Sequence, residues 1–414
     1  MTIEPQLILT LFLSGLFIAA IFIEREAQSL RLFPFIGFLS AYYFFFHGVF
    51  SSYASSYVSH LPFAPNISAP TAIYEATFVV AMIMGCYLGM RAPLSAREAI
   101  ASKDTQKPLM ITALTFVGIH FAFYLIPVLE TVPSLPQLRG PSWLFALTII
   151  ISLAMVGYAR WLMIGLSILL ISAKIVIEIP IGQITPIVQT FVIIATVAIY
   201  FRRLKLIILC IVLGSVTILS YGHIKNFSGH VADNKNFSRN AADTQLTFFT
   251  NIPPEISPAK IQSSIHAVAR RSSHSLLTNH VIIMTPQKVP YSAHNPIADA
   301  IRNHIPRVFW PSKPMEKKGN SFGKKYKIID DDDMVTSWNI PWSVDFYTAY
   351  GPYKSIGLSL IIGGIIGVGL RWMSLRSDRF LWFGIFNATL FPLFYQESNF
   401  SMMAGSIFWA LAFI

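Results

Sequence analysis

Long apolar stretches separated by short polar ones set the rhythm of the chain. About eleven runs approach the roughly twenty apolar residues a helix needs to cross a bilayer. They cover residues 6–23, 32–50, 72–90, 109–128, 142–158, 161–177, 182–201, 206–221, 355–370, 380–395 and 402–414. Arg160 interrupts the stretch 142–177 and divides it in two. The last run reaches Ile414, which fits either a truncated chain or a final helix ending inside the bilayer. The first run, LILTLFLSGLFIAAIFI, has no basic segment ahead of it and no small-residue cleavage site, so it reads as a retained helix. Only residues 222–354 break the rhythm, and a stretch that long is usually functional. Within it, SLLTNHVIIMT (275–285) is too short to span and is expected to pack as a buried or re-entrant helix. The pattern predicts an all-α, polytopic helical membrane bundle with one large extracytoplasmic loop. Its parts are a bundle over 1–221, the loop over 222–354 and closing helices over 355–414. No internal repeat is present.

Composition agrees with this class. The chain has 414 residues, 54% hydrophobic and only 12% charged, with a mean hydropathy of +0.57. A soluble chain carries about 25% charged residues. Cys86 and Cys210 both lie in apolar runs, which argues against a disulfide framework or a thiolate metal site. The formal charge of +11 fits an anionic lipid, an anionic substrate or nucleic acid, and its placement narrows the choice. Arg25 and Arg31 follow the first run, Arg91, Arg97, Lys103 and Lys107 the third, and Arg160 the fifth. RRLK (202–205) follows the seventh, and Arg371, Arg376 and Arg379 the ninth. Every second short connection is basic. The positive-inside rule then puts these connections in the cytoplasm and the N-terminus and 222–354 outside.

The candidate chemistry concentrates in and after that large segment, which holds seven of the ten histidines. NHIPRVFWPSKP (303–314) packs Arg307, Lys313 and His304 between prolines, with Trp310 suited to the membrane–water interface. Arg270, Arg271 and Arg302 lie upstream. Arginine forks match phosphate oxygens two at a time, so a lipid-linked diphosphate suits this set. Contact with anionic headgroups alone is the plainer reading. Asp345, a lone carboxylate among aromatics, sits where a general base would gain from partial exclusion of water. It also fits a helix cap or an arginine partner. Gln396 and Glu397 sit in a short outer connection, as a functional pair or a solvated turn. Asp330–Asp333 read as a solvated charged hairpin, and Lys174 with Glu178 as a pair one helical turn apart. The chain has no phosphate-binding glycine loop, no HExxH, no CxxC and no GxSxG. No metal or cofactor is expected, and no nucleic-acid partner.

The segment IPRVFWPSKP resembles the iPR-x-x-WP-x-KP motif of bacterial Wzy-type O-antigen polymerases. ARRSSHSLLTNHVIIMTPQ is similar to that family's arginine-bearing helix and TP turn. DFYTAYG is similar to its E-x-Y-x-x-F-G step, with Asp345 for Glu and Tyr350 for Phe, and QES resembles its Q-x-E. The resemblance covers roughly residues 265–400. It implies an inverting membrane glycosyltransferase of the inner membrane. Such an enzyme joins polyprenyl-diphosphate-linked oligosaccharides outside the cytoplasm and works beside a chain-length regulator. With such a substrate, the proline-flanked Arg307 is expected to hold the diphosphate, and charge and location add Arg270, Arg271, Arg302 and Lys313 to the same clamp. Trp310, Trp342 and Tyr347 would face sugar, and Asp345, Glu397 or His304 would move the proton. An O-antigen ligase shares the large segment and the arginines. A transporter or flippase of lipid-linked sugars would instead show repeated halves and short loops.

Overall fold

The computed structural model describes residues 4–29, 34–58, 61–64, 66–94, 106–126, 128–131, 135–178, 185–220, 258–303, 305, 310, 312, 318–334, 336–375 and 379–413. All regular structure among them is helical. The elements are α1 (Pro5–Ser29), α2 (Ile36–Tyr43), a π-helical stretch (Phe44–Val49), α3 (Phe50–Tyr57), α4 (Ala69–Met90), α5 (Gln106–Leu125) and α6 (Val128–Thr131). A 3-10 turn (Leu135–Leu138) leads into α7 (Arg139–Met155), α8 (Arg160–Glu178), α9 (Thr185–Tyr200) and α10 (Leu204–Leu219). Then come α11 (Pro258–Ser272), α12 (His274–Met284), α13 (Pro296–Asn303), α14 (Lys318–Lys325), α15 (Trp342–Ser374), α16 (Arg379–Ala388) and α17 (Phe400–Phe413).

Each apolar run coincides with a helix. Among the described residues, five helices are long and apolar enough to cross a membrane: Pro5–Ile23 of α1, then α4, α5, α8 and α15. Large apolar side chains such as Phe22, Leu88, Leu162 and Leu204 are exposed on the outer faces. This is the architecture of a helical membrane protein. The run at 380–395 departs from expectation. Its helix stops at Ala388 and gives way to a 3-10 turn, Phe391–Phe394, because Pro392 cannot continue an α-helical ladder.

Contacts divide the chain into two units. One comprises Met1–Ala101, Val117–Ser142 and Ser272–Ile414, and the other Ser102–Phe116 and Trp143–Arg271. In the second unit, Trp143 Nε1 donates to Thr190 Oγ1 at 3.0 Å. The expected pair is present on α8, with Lys174 Nζ 2.8 Å from Glu178 Oε1 and both side chains buried.

The spine of the first unit is the packing of α4 on α15. Gly85 and Gly89 face Gly363, Gly364 and Gly367. A Cβ on Gly85 would stand 2.1 Å from Leu360 O, and one on Gly367 2.1 Å from Cys86 O. Only glycine lets two membrane helices approach this closely, backbone to backbone. The π-helical stretch releases carbonyls from the regular ladder. Gln6 of α1 answers two of them, donating to His47 O at 3.1 Å and Gly48 O at 3.4 Å. Short α12 is buried as expected, from His274 through Asn279. Its Asn279 Oδ1 accepts from Ser68 N–H and Thr71 Oγ1, each at 2.9 Å, and so caps the start of α4.

Helix α15 begins well before the apolar run at 355–370 because two helices join in it. Gly351 has φ 74° and ψ −179°, a conformation open essentially to glycine alone, and Pro352 starts the second half. The first half, Trp342–Tyr350, holds the aromatic segment around Asp345 at the head of the span.

Candidate functional site

The head of α15 meets α13, α14 and the start of α17, and four ionisable side chains converge there. Asn295 opens α13, its Oδ1 accepting from Ile297 N–H at 3.1 Å and Ala298 N–H at 3.0 Å. That cap fixes His294 just outside the helix and Asp299 in its first turn. His294 Nδ1 contacts Asp299 Oδ2, and His294 Nε2 stands 3.3 Å from Asp345 Oδ1. Lys318 Nζ, from α14, reaches His294 Nε2 at 2.9 Å, Asp299 Oδ2 at 3.2 Å and Ser401 Oγ at 2.8 Å. Arg302 closes the outer side, its Nη1 3.1 Å from Asp299 Oδ1.

The two contacts at Nε2 belong to different protonation states. A neutral ring that donates from Nδ1 to Asp299 accepts from Lys318 at Nε2. An imidazolium turns the same Nε2–H toward Asp345. Partial burial works against ionisation of Asp299. The Lys318 hydrogen bond and the charges of Lys318, His294 and Arg302 outweigh it and hold the carboxyl below the usual carboxylate range.

Asp345 itself is buried. Its Oδ2 accepts the Phe400 N–H at 3.0 Å, so the carboxylate caps the N-terminus of α17 from another helix. The alternative of a helix cap, open from the sequence, is thus realised. The imidazole at its other oxygen is an addition that the sequence did not announce.

Glu397 is also buried, in the turn before α17, with Asn339 Nδ2 and Tyr395 OH donating to its two oxygens. Gln396 beside it accepts Tyr43 OH at 2.5 Å through Oε1 and the Trp342 N–H at 3.3 Å through its backbone carbonyl. Neither residue forms a solvated turn.

The remaining candidates divide. Trp342 is fully buried with its ring against Phe346 and Phe400, and Tyr347 is buried with its hydroxyl 3.3 Å from Thr285 O. Both rings pack protein rather than offering a face to a ligand. Trp310 is half-buried and donates from Nε1 to Ser312 Oγ at 3.1 Å. Arg302 is exposed and belongs to the cluster at Asp299. Arg270 and Arg271 are exposed in the last turn of α11, within the second unit. His304, Arg307 and Lys313 lie outside the described residues. Asp330, Asp331 and Asp332 are exposed, with Asp331 Oδ2 paired to Lys327 Nζ at 2.8 Å, as a charged hairpin requires. Among the described residues no group of three or more His, Cys, Asp or Glu could hold a metal ion.

His294, Asp299 and Lys318 were not singled out from the sequence. The only local signal was HNPIAD, an Asn-Pro helix start with an acid in the first turn, which marks a cap and says nothing of catalysis.

No curated protein and no solved structure matches the chain. Residues 29–414 match the family model described as a domain of unknown function (DUF8712). With nearly the whole chain inside that match, the protein belongs to the DUF8712 family.

Proposed function

We propose that this protein is an inverting membrane glycosyltransferase that polymerises polyprenyl-diphosphate-linked oligosaccharide repeat units into a surface polysaccharide. In this reading all eleven apolar helices lie in the bacterial inner membrane, with the N-terminus and residues 222–354 on the periplasmic side. A chain-length regulator would be its partner. The supporting observation is the cluster of Asp345, His294, Asp299 and Lys318 at the head of α15, beside the segment that resembles the repeat-unit polymerases.

The transfer breaks the bond between the anomeric carbon and the diphosphate oxygen, and the electron pair leaves with the diphosphate. An acceptor hydroxyl forms the new glycosidic bond from the opposite face and gives up its proton. His294 is the acceptor of that proton. It is partly exposed, its Nδ1 is held by Asp299, and Asp345 stands ready to pair with the imidazolium. Asp345, the base suggested by sequence, becomes the residue that holds and charges the imidazole, because one of its oxygens is committed to α17. Arg307 and Lys313 of the 303–314 segment, with Arg302, supply the charge that the leaving diphosphate needs.

Polymer ladders made by purified protein from lipid-linked repeat units test this. His294→Gln should slow chain growth by about 10²-fold or more. Asp345→Asn, which keeps the shape and the cap, should slow it less. Wild-type ladders from His294→Gln would remove it as the base. No extension of any lipid-linked repeat unit by the wild type would remove the polymerase reading.

A further inference from the structure

A second group of ionisable side chains is buried among the helices of the first unit. His47 lies in the π-helical stretch and Glu75 on α4. His47 Nδ1 contacts Glu75 Oε2, and each side chain is 1% exposed. The His274 ring, at the start of α12, stands edge-on to His47 with ring centroids 5.3 Å apart. Tyr42 OH is 2.9 Å from His274 Nδ1, and the Tyr42 ring packs on Tyr395 at 5.5 Å. The hydroxyl of Tyr395 donates to Glu397. Tyr43 packs on His47 with ring centroids 4.7 Å apart and donates to Gln396. A line of polar side chains thus runs from Glu75 to Glu397 through the buried interior of the bundle.

Three atoms in the group have unused capacity. His47 Nε2, Glu75 Oε1 and Gln396 Nε2 are buried and make no hydrogen bond among the described residues. Buried polar atoms are nearly always paired, so three orphans in one cluster mark a place that takes something up. An ionisable pair at such a depth is costly to keep without a task. The donor set fits no metal, as noted above. It does fit a proton, because an imidazole and a carboxylate in contact can pass one between them. The π-helical stretch supplies the local reason for the geometry, since the extra residue in the turn re-aims His47 toward α4.

We propose that His47 and Glu75 form a proton-exchange site inside the helix bundle, connected through His274, Tyr42 and Tyr395 to Glu397. A proton arriving at His47 Nε2 makes the imidazolium, whose Nδ1 proton passes to Glu75 Oε2. Release runs the same steps backward, so one proton enters and one leaves. The titratable groups facing the pair are Tyr42 and Tyr43 at the end of α2, Tyr74 on α4 and His274 on α12, with Tyr395 and Glu397 beyond Tyr42. Gln6 and Gln396 contribute uncharged amides. The site stands independently of the glycosyl-transfer reading.

Infrared difference spectra of the full-length protein in lipid nanodiscs, taken across pH ~5 to ~8, provide the test. A protonated-carboxyl band should change with pH, vanish in Glu75→Gln and be displaced in Glu397→Gln. A wild-type spectrum identical to that of Glu75→Gln overturns the exchange site. A band unmoved by Glu397→Gln overturns the connection. Should Glu75→Gln fail to fold, nitrogen-labelled His47 in the wild type decides by magnetic resonance. Ring signals that change over the same range support the site, and invariant ones refute it. Neither readout needs a glycan substrate.

Discussion

The charge of Asp299 depends on its neighbours. Its carboxyl is held below the usual carboxylate value, near 4, so near that value the unfolded chain binds more protons than the folded one. The stability this contributes is fully present above the ordinary value. It is lost as pH falls through the lower, folded value. Thermal melts of wild type and Asp299→Asn should therefore differ at pH ~6 and converge toward pH ~3. A gap that stays constant over that range would refute the cluster. The same residue shows where a single sequence stops being informative. Asp345 and Glu397 could be picked out because a carboxylate at a membrane edge is rare in itself. His294, Asp299 and Lys318 gain meaning only from one another and from Asp345, across tens of residues, and no spacing rule connects them. The tryptophan and tyrosine candidates on α15 show a related limit. Aromatic character could be read at Trp342 and Tyr347, but not which side of the helix the core would claim.

At the scale of elements, two glycine sites make opposite demands and a third serves as a control. Gly351→Ala puts a Cβ on a conformation reserved for glycine and should destabilise the protein by about 1–3 kcal/mol. Gly85→Leu or Gly367→Leu drives a side chain into a backbone carbonyl across the α4–α15 seam and should lower the melting temperature sharply. Gly118→Ala on α5 meets no atom within 4 Å and should be neutral, or stabilise by up to about 1 kcal/mol. Equal effects at Gly85 and Gly118 would deny the seam its role. The seam was written in the sequence as glycines four apart, Gly85 and Gly89 in GCYLG and Gly363 and Gly367 in GGIIG, although hydropathy alone passes over it. Helix positions were legible because apolar length dominates in a bilayer. The join in α15 was less so, since a Gly-Pro step ordinarily ends a helix instead of joining two.

For the molecule as a whole, the alternation of basic connections makes a topology that one labelling experiment decides. Ser321 is exposed on α14, while Cys86 and Cys210 are both buried and should stay silent. With cysteine at Ser321, an impermeant thiol reagent should label intact spheroplasts. With cysteine at a position in 91–108, it should label only after lysis. The reverse pattern would invert the orientation and remove residues 222–354 from the periplasm.

The glycine seam also constrains how the protein can move. Gly363 and Gly367 of α15 are each notched against a carbonyl of α4, Met82 O and Cys86 O, and the flanking positions, Ile362 and Ile366 among them, carry branched side chains. Sliding α15 along α4 by less than a full turn would drive those side chains into the notches. The two helices therefore behave as one spliced beam, locked against pistoning. Asp345 stands on the first half of the same helix, ahead of the Gly351–Pro352 join, so the beam reaches it only through that joint, and its carboxylate in turn braces the first half against the start of α17.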